Sequence, residues 1–350
     1  MTLLSVLIPT HGRPALLDRC LESLAGQDFE GFDVEVIIGV DGDDTGEGAS
    51  AARWSSSNIP MRALSAPHAG PAATRNRIVA QAKGETLLFL NDDVVAAPGL
   101  LAVHAGAQRE MTAQGRIAML LGSAPWAIEQ PDRVIDRLTR ETSIIFFYDQ
   151  MTGERAADPD HDWGWRHAWT LNLSLPAKCV DAVGGFCELM RRPVYEDIEL
   201  AFRVSERFSA PTLYRPEAKV IHHHRYEPVA LLAREYVLGR QSHRLAEVSP
   251  RCANAIFRKD PLADDTIAEA QATVESQRDE TARLISAFIR RAGDSAATLN
   301  HEGVESAFKE YVQCREYLRM MGLADAGSGR AWEPPVAWLN ELATGAGALC

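Results

Sequence analysis

Three side chains that carry carbonyl or carboxylate oxygens follow directly on a short apolar run. The run is Leu87–Leu90, and the residues after it are Asn91, Asp92 and Asp93. An unbroken apolar run of this length is typical of a strand buried on both faces, as in a parallel sheet beneath helices. Open α/β sheets bind their ligands at the carboxyl ends of such strands, so this cluster is a candidate site.

The Asn91–Asp93 cluster requires a cation or a hydrogen-bond donor, because crowded carboxylates repel each other and lose hydration. Oxygen ligands suit Mg²⁺ or Mn²⁺, which could bridge to a phosphate. A helix N-cap is the alternative interpretation, since Asn and Asp also favour that position. Taken alone, the cluster leaves both interpretations open.

Further acidic and histidine side chains lie at predicted strand ends or helix starts. They are Asp41 and Asp43, Glu196 and Asp197, and His222 and His224. Two carboxylates and an imidazole can bind one divalent cation when the phosphates of a substrate supply the other ligands. A remaining carboxylate could take a proton from a hydroxyl group. The acids at 196–199 could instead merely complement a helix dipole.

The elements that must position these residues predict an α/β fold. A strand at 3–8, a helix at 16–24 and a strand at 34–40 follow one another closely, as at the start of a doubly wound sheet. Further strands are predicted at 61–64, 87–90, 117–122, 170–175, 213–216 and 218–221, and further helices at 70–82, 98–108, 178–183 and 194–204. The first turn lacks the GxGxxG fingerprint, which argues against a nicotinamide enzyme.

Strand signals end near Pro228, where helical periodicity takes over. We therefore predict an α/β domain over 1–228, a helical region over 229–326 and a loose Gly/Ala-rich tail over 327–350. Trp163, Trp165 and Trp169 crowd one short segment before this boundary. Aromatic side chains at such a place can form the floor of a sugar pocket, but we expect at least one in the core.

Composition and charge exclude several classes of protein. The hydrophobic content of 46% and charged content of 24% are typical of a soluble globular protein, and the net charge of −12 argues against non-specific nucleic-acid binding. No stretch reaches the ~18 apolar residues of a membrane span, and the first residues do not resemble a signal peptide. The six cysteines show no CxxC spacing, which favours reduced thiols and a cytoplasmic location.

Six short motifs within residues 3–228 resemble those of family 2 glycosyltransferases with the GT-A fold. They are Ile8-Pro9-Thr10, Val40-Asp41-Gly42-Asp43, Ala73-Thr74-Arg75-Asn76, Phe89-Leu90-Asn91-Asp92-Asp93, Gly184-Gly185-Phe186 and Tyr195-Glu196-Asp197-Ile198-Glu199-Leu200, followed by His222. The resemblance implies a Rossmann-like, mostly parallel sheet flanked by helices, with a helical C-terminal appendage. It also implies metal-dependent transfer of a sugar from a nucleotide-diphosphate sugar, with a UDP-sugar favoured, to an acceptor hydroxyl.

The resemblance assigns a role to each motif. The residues expected to bind the donor are Pro9, Thr10, His11, Arg13, Asp41, Asp43, Arg75, Asn91 and Asp92. Within this set, Asp41 would accept a hydrogen bond from the base and Arg75 would face the diphosphate. The DXD-like segment would bind Mn²⁺ or Mg²⁺ through Asp93, and either His222 or His224 would complete the metal shell.

The same resemblance makes Asp197 the general base, with Glu196 as the fallback. Burial raises a carboxyl pKa whereas a helix N-terminus lowers it, so we expect Asp197 to be ionised at neutral pH. A single base that deprotonates the acceptor for in-line attack would invert the anomeric carbon.

Two departures from the family pattern affect the donor site. Asn91 replaces the first acid of the metal motif, which keeps an oxygen but removes a charge. Asp41-Gly42-Asp43-Asp44 stands where the family has Asp-Asp-Gly-Ser, so deoxythymidine and guanosine remain open beside uridine.

Two other functions also remain open. A sugar-phosphate nucleotidylyltransferase requires a Gly-rich basic turn after the first strand, and Gly12-Arg13 is a poor match. A non-catalytic nucleotide-sugar-binding protein would not need Asp93, Asp197 and His222 together. The sequence does not identify the acceptor. We expect the residues that bind it on the loops over 130–169 and on the C-terminal helices. A membrane-bound acceptor would require peripheral contact by those helices.

Overall fold

The computed structural model describes residues 2–56 and 58–344. Two compact units can be distinguished. The first, here called the sheet unit, comprises Met1–Ala127 and Gln150–His224, and the second, the helical unit, comprises Ile128–Asp149 and Arg225–Cys350. This division differs from the predicted one, because the segment 128–149 groups with the C-terminal helices.

The sheet unit is built on an eight-stranded sheet, counted over the described residues. Its strands are β1 (Thr2–Thr10), β2 (Phe32–Asp41), β3 (Met61–Ala66), β4 (Thr86–Leu90), β5 (Val94–Ala96), β6 (Met119–Ser123), β7 (Asn172–Pro176) and β8 (Thr212–His222). The spatial order is β3-β2-β1-β4-β7-β6-β8-β5. Pairings from β3 to β4 are parallel, as is β6 with β8, whereas β7 and β5 pair antiparallel with their neighbours.

The helices lie between the strands and then dominate the C-terminal part of the described chain. In chain order they are α1 (Pro14–Ala25), α2 (Glu47–Trp54), α3 (Pro71–Val79), α4 (Leu100–Ala113), α5 (Val134–Glu141), α6 (Gly153–Ala157), α7 (Ala177–Ala182), α8 (Glu196–Phe208), α9 (Pro228–Val248), α10 (Pro250–Ile256), α11 (Asp264–Ser276), α12 (Arg278–Gly293), α13 (His301–Gly327) and α14 (Val336–Thr344). The α/β class and the helical C-terminal region are as predicted. No helix within the described ranges combines the length and apolar character that a membrane span requires.

The central strands are buried as the apolar runs predicted. Every residue of β4 is buried, and Val6, Ile37 and Leu88 have no exposed surface. Gly39 in β2 lets α3 lie close against the sheet, because a Cβ at this position would come within 2.7 Å of Thr74 Cγ2. The sheet therefore fixes the position of α3, the helix that carries Arg75.

The aromatic segment before β7 is partly in the core. Trp169 is 4% exposed, whereas Trp163 and Trp165 are half-buried. The expectation that at least one of these tryptophans packs in the core is confirmed.

The helical unit depends on close contact between α9 and α13. A Cβ on Gly239 would lie 2.0 Å from the main-chain oxygen of Arg319, and one on Gly322 would lie 2.1 Å from that of Tyr236. The two glycines allow the helix backbones to touch. Beneath this crossing, the buried Glu235 carboxylate accepts hydrogen bonds from the Tyr311 hydroxyl at 2.7 Å and the Arg319 guanidinium at 2.7 Å.

The predicted loose tail requires correction. α13 continues to Gly327, and α14 follows at Val336–Thr344 with Leu339 and Leu342 buried. Two leucines three residues apart suit a helix that buries one face. The prediction of a loose tail is therefore wrong for residues 336–344, and residues 345–350 lie outside the described part.

Replacing Gly239 by alanine should destabilise the helical unit. The added Cβ would force α9 and α13 apart, and such overpacking costs about 1–3 kcal/mol. Gly293→Ala is the matched control, because a Cβ there meets no atom of the described residues within 4 Å. Urea denaturation followed by circular dichroism measures both free energies of unfolding. An equal effect of the two substitutions would contradict the tight crossing.

Candidate active site

Asp93 and two histidines meet where β4 ends and β8 ends. Asp92 and Asp93 are 0% and 4% exposed, and the short strand β5 that follows pairs Val94 with His222. As a result, Asp93 Oδ1 lies 3.3 Å from His222 Nε2, and Asp93 Oδ2 lies 3.4 Å from His224 Nδ1. Two ligands at right angles on an ion with bonds of ~2.1 Å are about 3 Å apart, so Asp93 and His222 fit one shared Mn²⁺ or Mg²⁺.

The histidines differ in how firmly they are held. The His222 side chain is 5% exposed and its ring packs against Trp126 with the centroids 4.2 Å apart, whereas His224 is 32% exposed. The two imidazole rings stack with centroids 5.9 Å apart, and each approaches a different carboxylate oxygen of Asp93. Both remain candidate ligands, and His222 is the better positioned.

Arg13 lies across both aspartates from the start of α1. Its NH1 donates to Asp93 Oδ2 at 3.0 Å, its Nε donates to Asp92 Oδ2 at 3.1 Å, and its NH2 lies 2.5 Å from Asp92 Oδ1. The guanidinium is a cation at one side of the predicted metal position. Sequence reasoning assigned Arg13 to the donor site but did not anticipate this contact.

The two adjacent carboxyl groups have opposite pKa shifts. Burial raises the pKa of Asp92 to about 6, with the charge of Asp93 adding to the shift and Arg13 opposing it. Burial also disfavours the charge of Asp93, but hydrogen bonds from His222 and His224 outweigh it and lower the pKa well below its ordinary value. Asp93 is thus held as the ionised member of the pair, which a metal ligand requires.

Asp41 lies at the end of β2, beside the turn that follows β1. Its carboxylate accepts hydrogen bonds from the main-chain N–H of Ala69 at 2.8 Å and of Gly70 at 3.1 Å, and His68 Nδ1 lies 2.9 Å from Oδ2. His11 Nδ1 donates to the main-chain oxygen of Asp41 at 2.5 Å. His68 was not identified from the sequence, since no local pattern distinguishes it.

The other predicted donor residues surround this group. Pro9 and Thr10 pair in register with Gly39 and Val40 of β2, and Thr10 is 3% exposed. Asp43 is exposed in the loop after β2, and the main-chain oxygen of Asn91 accepts a weak hydrogen bond from a cysteine thiol of α1 at 3.7 Å. The roles predicted for these residues stay predictions.

Arg75 forms a buried ion pair with Glu196. Arg75 NH1 donates to Glu196 Oε1 at 2.9 Å, and the two side chains are 6% and 5% exposed. The guanidinium carbon also lies 5.6 Å from the centre of the Phe186 ring, a cation–π contact. The diphosphate contact predicted for Arg75 remains untested, whereas its pairing with Glu196, 121 positions away, was missed by sequence reasoning.

Glu196 and Asp197 begin α8 in an environment that favours protonation. Tyr195 precedes them with φ 67° and ψ −9°, a left-handed conformation that is uncommon outside glycine and often marks functional sites. Burial raises the pKa of Glu196 to about 7, with the charge of Asp197 adding and Arg75 opposing. Burial also raises the pKa of Asp197, so desolvation outweighs the helix N-terminus that we expected to balance it.

The Gly184–Phe186 turn is tied to both helices of this region. Asn76 of α3 accepts from the main-chain N–H of Phe186 at 2.7 Å and donates to its oxygen at 2.9 Å. Gly185 has φ +76° and would place a Cβ 2.6 Å from the Asn76 side chain. Arg203 of α8 donates to the Gly185 oxygen at 2.7 Å and binds Glu199 at 2.6 Å. These contacts join the motifs at 73–76, 184–186 and 195–200 to one another. The i,i+4 spacing of Glu199 and Arg203 is the sequence pattern that predicts the ion pair between them.

Comparison with known proteins shows which proteins this chain is similar to. Residues 5–118 match the model of glycosyl transferase family 2. A validoxylamine A glucosyltransferase of Streptomyces hygroscopicus subsp. limoneus is 31% identical over 232 residues, which cover 58% of this chain and 48% of that protein. A GalNAc(5)-diNAcBac-PP-undecaprenol beta-1,3-glucosyltransferase of Campylobacter jejuni is 34% identical over 95 residues, which cover 27% and 30%. The chain thus spans about half the length of the Streptomyces relative.

Among solved structures, a mannosyltransferase from Pyrobaculum calidifontis in complex with GDP-Man and Mn²⁺ shares the fold. The likeness covers 93% of this chain and 86% of that one, with a TM-score of 0.55 and 16% identity. The sheet and its flanking helices are those of the GT-A class. Residues 5–118 are thus similar to glycosyl transferase family 2, and the chain has the GT-A fold, as its motifs predicted.

The raised pKa of Glu196 should be visible in the pH dependence of stability. A carboxyl whose pKa is raised on folding stabilises the protein below its unfolded pKa, and this contribution is lost as pH rises through the folded value. Between pH 4.5 and about 7, the wild type should therefore lose stability relative to Glu196→Gln, by on the order of 3 kcal/mol.

Urea denaturation at several pH values measures this difference between the two proteins. Glu22→Gln, which changes an exposed carboxyl on α1, serves as the control and should follow the wild type. Parallel pH profiles for the wild type and Glu196→Gln would show that Glu196 titrates as it does in the unfolded chain.

Proposed function

We propose that this protein is a metal-dependent, inverting glycosyltransferase that moves a sugar from a nucleotide-diphosphate sugar to an acceptor hydroxyl. The observation that carries the proposal is the approach of Asp93 Oδ1 to His222 Nε2 at 3.3 Å, in a chain whose residues 5–118 match the family 2 model. Asp93, ionised and buried, and His222 would hold Mn²⁺ or Mg²⁺. When bound, the ion supplies positive charge to the departing diphosphate.

Arg13 has two alternative partners in this proposal. Its NH1 now occupies Asp93 Oδ2 at 3.0 Å, where a divalent ion would compete with it. Arg13 would then keep its contact with Asp92, and its remaining N–H groups would face the diphosphate, which a guanidinium can bind bidentately. This gives a physical reason for an arginine immediately after the first strand, beside the Pro9–His11 turn.

The transfer itself requires a base on the side of the acceptor. Asp197 would take the hydroxyl proton while the acceptor oxygen bonds to the anomeric carbon and the bond from that carbon to the diphosphate breaks. Attack from the face opposite the leaving group inverts the centre. Glu196 is held by Arg75 and is the fallback base. The glucosyl and mannosyl transfer named for the relatives supports a hexose as the transferred sugar.

The choice of nucleotide is proposed from the residues that would contact its base and ribose. Asp41 and the Pro9–His11 turn would contact base and ribose, with uridine first and guanosine, as in the Pyrobaculum complex, second. A thermal-shift panel of nucleotide diphosphates with Mn²⁺ identifies the base, because specific binding stabilises by mass action. An adenine nucleotide that stabilised the protein most would contradict the assignment. The acceptor and the cytoplasmic location stay predictions.

Asp93→Asn should abolish metal binding and leave the fold intact. The change removes the charge that the ion requires and keeps the side-chain shape. Electron paramagnetic resonance of free Mn²⁺, with the most stabilising nucleotide diphosphate present, should show at least a tenfold loss of affinity. Asp33→Asn removes an exposed carboxylate at the start of β2, the end of the strand away from the site, and should bind Mn²⁺ as the wild type does. Equal Mn²⁺ affinity in the two variants would place the metal elsewhere.

Asp197→Asn separates an enzyme from a non-catalytic binding protein. The variant should bind metal and nucleotide normally but hydrolyse or transfer the donor sugar about 10²–10⁴ times more slowly, the usual contribution of a general base. Release of nucleotide diphosphate measures the rate. Near-normal rates for both Asp197→Asn and Glu196→Gln would remove the base from α8.

A further inference from the structure

A second cluster of possible metal ligands lies at the carboxyl ends of the first three parallel strands. His11 follows β1, Asp41 ends β2, and His68 lies between β3 and α3. These strands are neighbours in the order β3-β2-β1, so their ends bring the three side chains together. One ligand atom from each residue lies within 4.8 Å of the other two.

Each of the two histidines contacts Asp41 in a way that is compatible with metal binding. Metal-binding histidines almost always donate their second ring N–H to a carboxylate or a main-chain oxygen, which fixes the tautomer. His11 Nδ1 donates to the main-chain oxygen of Asp41 at 2.5 Å, and His68 Nδ1 lies 2.9 Å from Asp41 Oδ2. The His11 contact leaves a lone pair on Nε2, the nitrogen that usually binds the ion, whereas His68 Nδ1 and Asp41 Oδ2 are already spaced as two ligands of one ion are.

Asp41 provides a rigid support for the two rings. Its side chain is 7% exposed, and two main-chain N–H groups, from Ala69 and Gly70, hold the carboxylate in place. The histidines are exposed, and their ring centroids are 4.8 Å apart at an angle of 40°. Ligands of a tetrahedral zinc with bonds of ~2.0 Å are about 3.3 Å apart, so small rotations of exposed rings suffice to close the shell.

The donor atoms determine which class of ion would bind. Two imidazole nitrogens and one carboxylate suit Zn²⁺ and neighbouring transition metals, whereas Mg²⁺ prefers oxygen ligands. We propose that His11, Asp41 and His68 form a binding site for a zinc-class divalent ion, separate in its ligands from Asp93 and His222, with the remaining coordination position open. The site shares His11 and Asp41 with the pocket proposed for the nucleobase, but zinc binding requires neither nucleotide nor sugar transfer.

Cobalt(II) in place of zinc tests the proposal directly, because a tetrahedral cobalt site absorbs visible light strongly and an octahedral oxygen-rich site does not. The wild type should bind one Co²⁺ with this absorption in the absence of nucleotide, and Zn²⁺ should displace it. His11→Gln and His68→Gln should each remove the absorption and weaken Zn²⁺ binding, measured against a coloured chelator, at least tenfold.

Two control variants keep the test specific. His222→Gln disables the site proposed for Mn²⁺ and should retain the cobalt absorption. His301→Gln changes an 82% exposed histidine that also contacts a carboxylate, Glu305 at 3.3 Å, and should behave as the wild type. Circular dichroism confirms that each variant is folded.

Two results would overturn the proposal. One is a wild-type protein without tetrahedral cobalt absorption, and the other is an absorption that survives both His11→Gln and His68→Gln. Because no nucleotide is present, a failure of the proposed sugar transfer would leave the zinc result unchanged, and the two hypotheses are tested separately.

Discussion

Burial of the adjacent carboxylates Asp92 and Asp93 is the constraint on which the site depends. Each buried charge costs several kcal/mol unless a partner compensates it. The partners come from distant parts of the sequence: Arg13 precedes α1, whereas His222 and His224 lie at the end of β8. The sheet must therefore bring the ends of β1, β4 and β8 together before this pair can be buried, which couples the correct topology to the electrostatics of the site.

A second buried pair, Arg75 with Glu196, applies the same constraint to the helices. It joins α3 to α8, and Phe186 covers the guanidinium. The two pairs have different electrostatic consequences. Hydrogen bonds from histidines keep the pKa of Asp93 low, whereas burial raises that of Glu196 to about 7. Environments that push the pKa values of two carboxyl groups apart are those in which one can bind a cation while the other exchanges a proton.

The sequence predicted the parts of this structure that have a local pattern. The apolar run of β4 and the periodicity of α1 are such patterns, and the ordered motifs predicted the fold class. β5 has three residues and exists only through its pairing with β8, so no window over 94–96 could predict it. α2 has three alanines in eight residues and no stripe of large apolar side chains, and it was missed. The partners of Arg13, His68 and Arg75 depend on tertiary contacts, which a single sequence does not reveal.

For the proposed binding of a nucleotide diphosphate, the charge balance of the site would give a physical reason for a metal requirement. The chain carries a net charge of −12, so a nucleotide diphosphate approaches a protein that repels it on average. The two arginines of the site do not cancel this repulsion, because Arg13 is bound to Asp92 and Asp93 and Arg75 to Glu196. The positive charge that faces the phosphates would then come from a divalent cation, or from a guanidinium that is freed when the cation replaces it at a carboxylate. In either case the ion would be needed before the proposed donor could bind tightly, and Asp93, the carboxylate with the lowered pKa, would be the ligand that holds it.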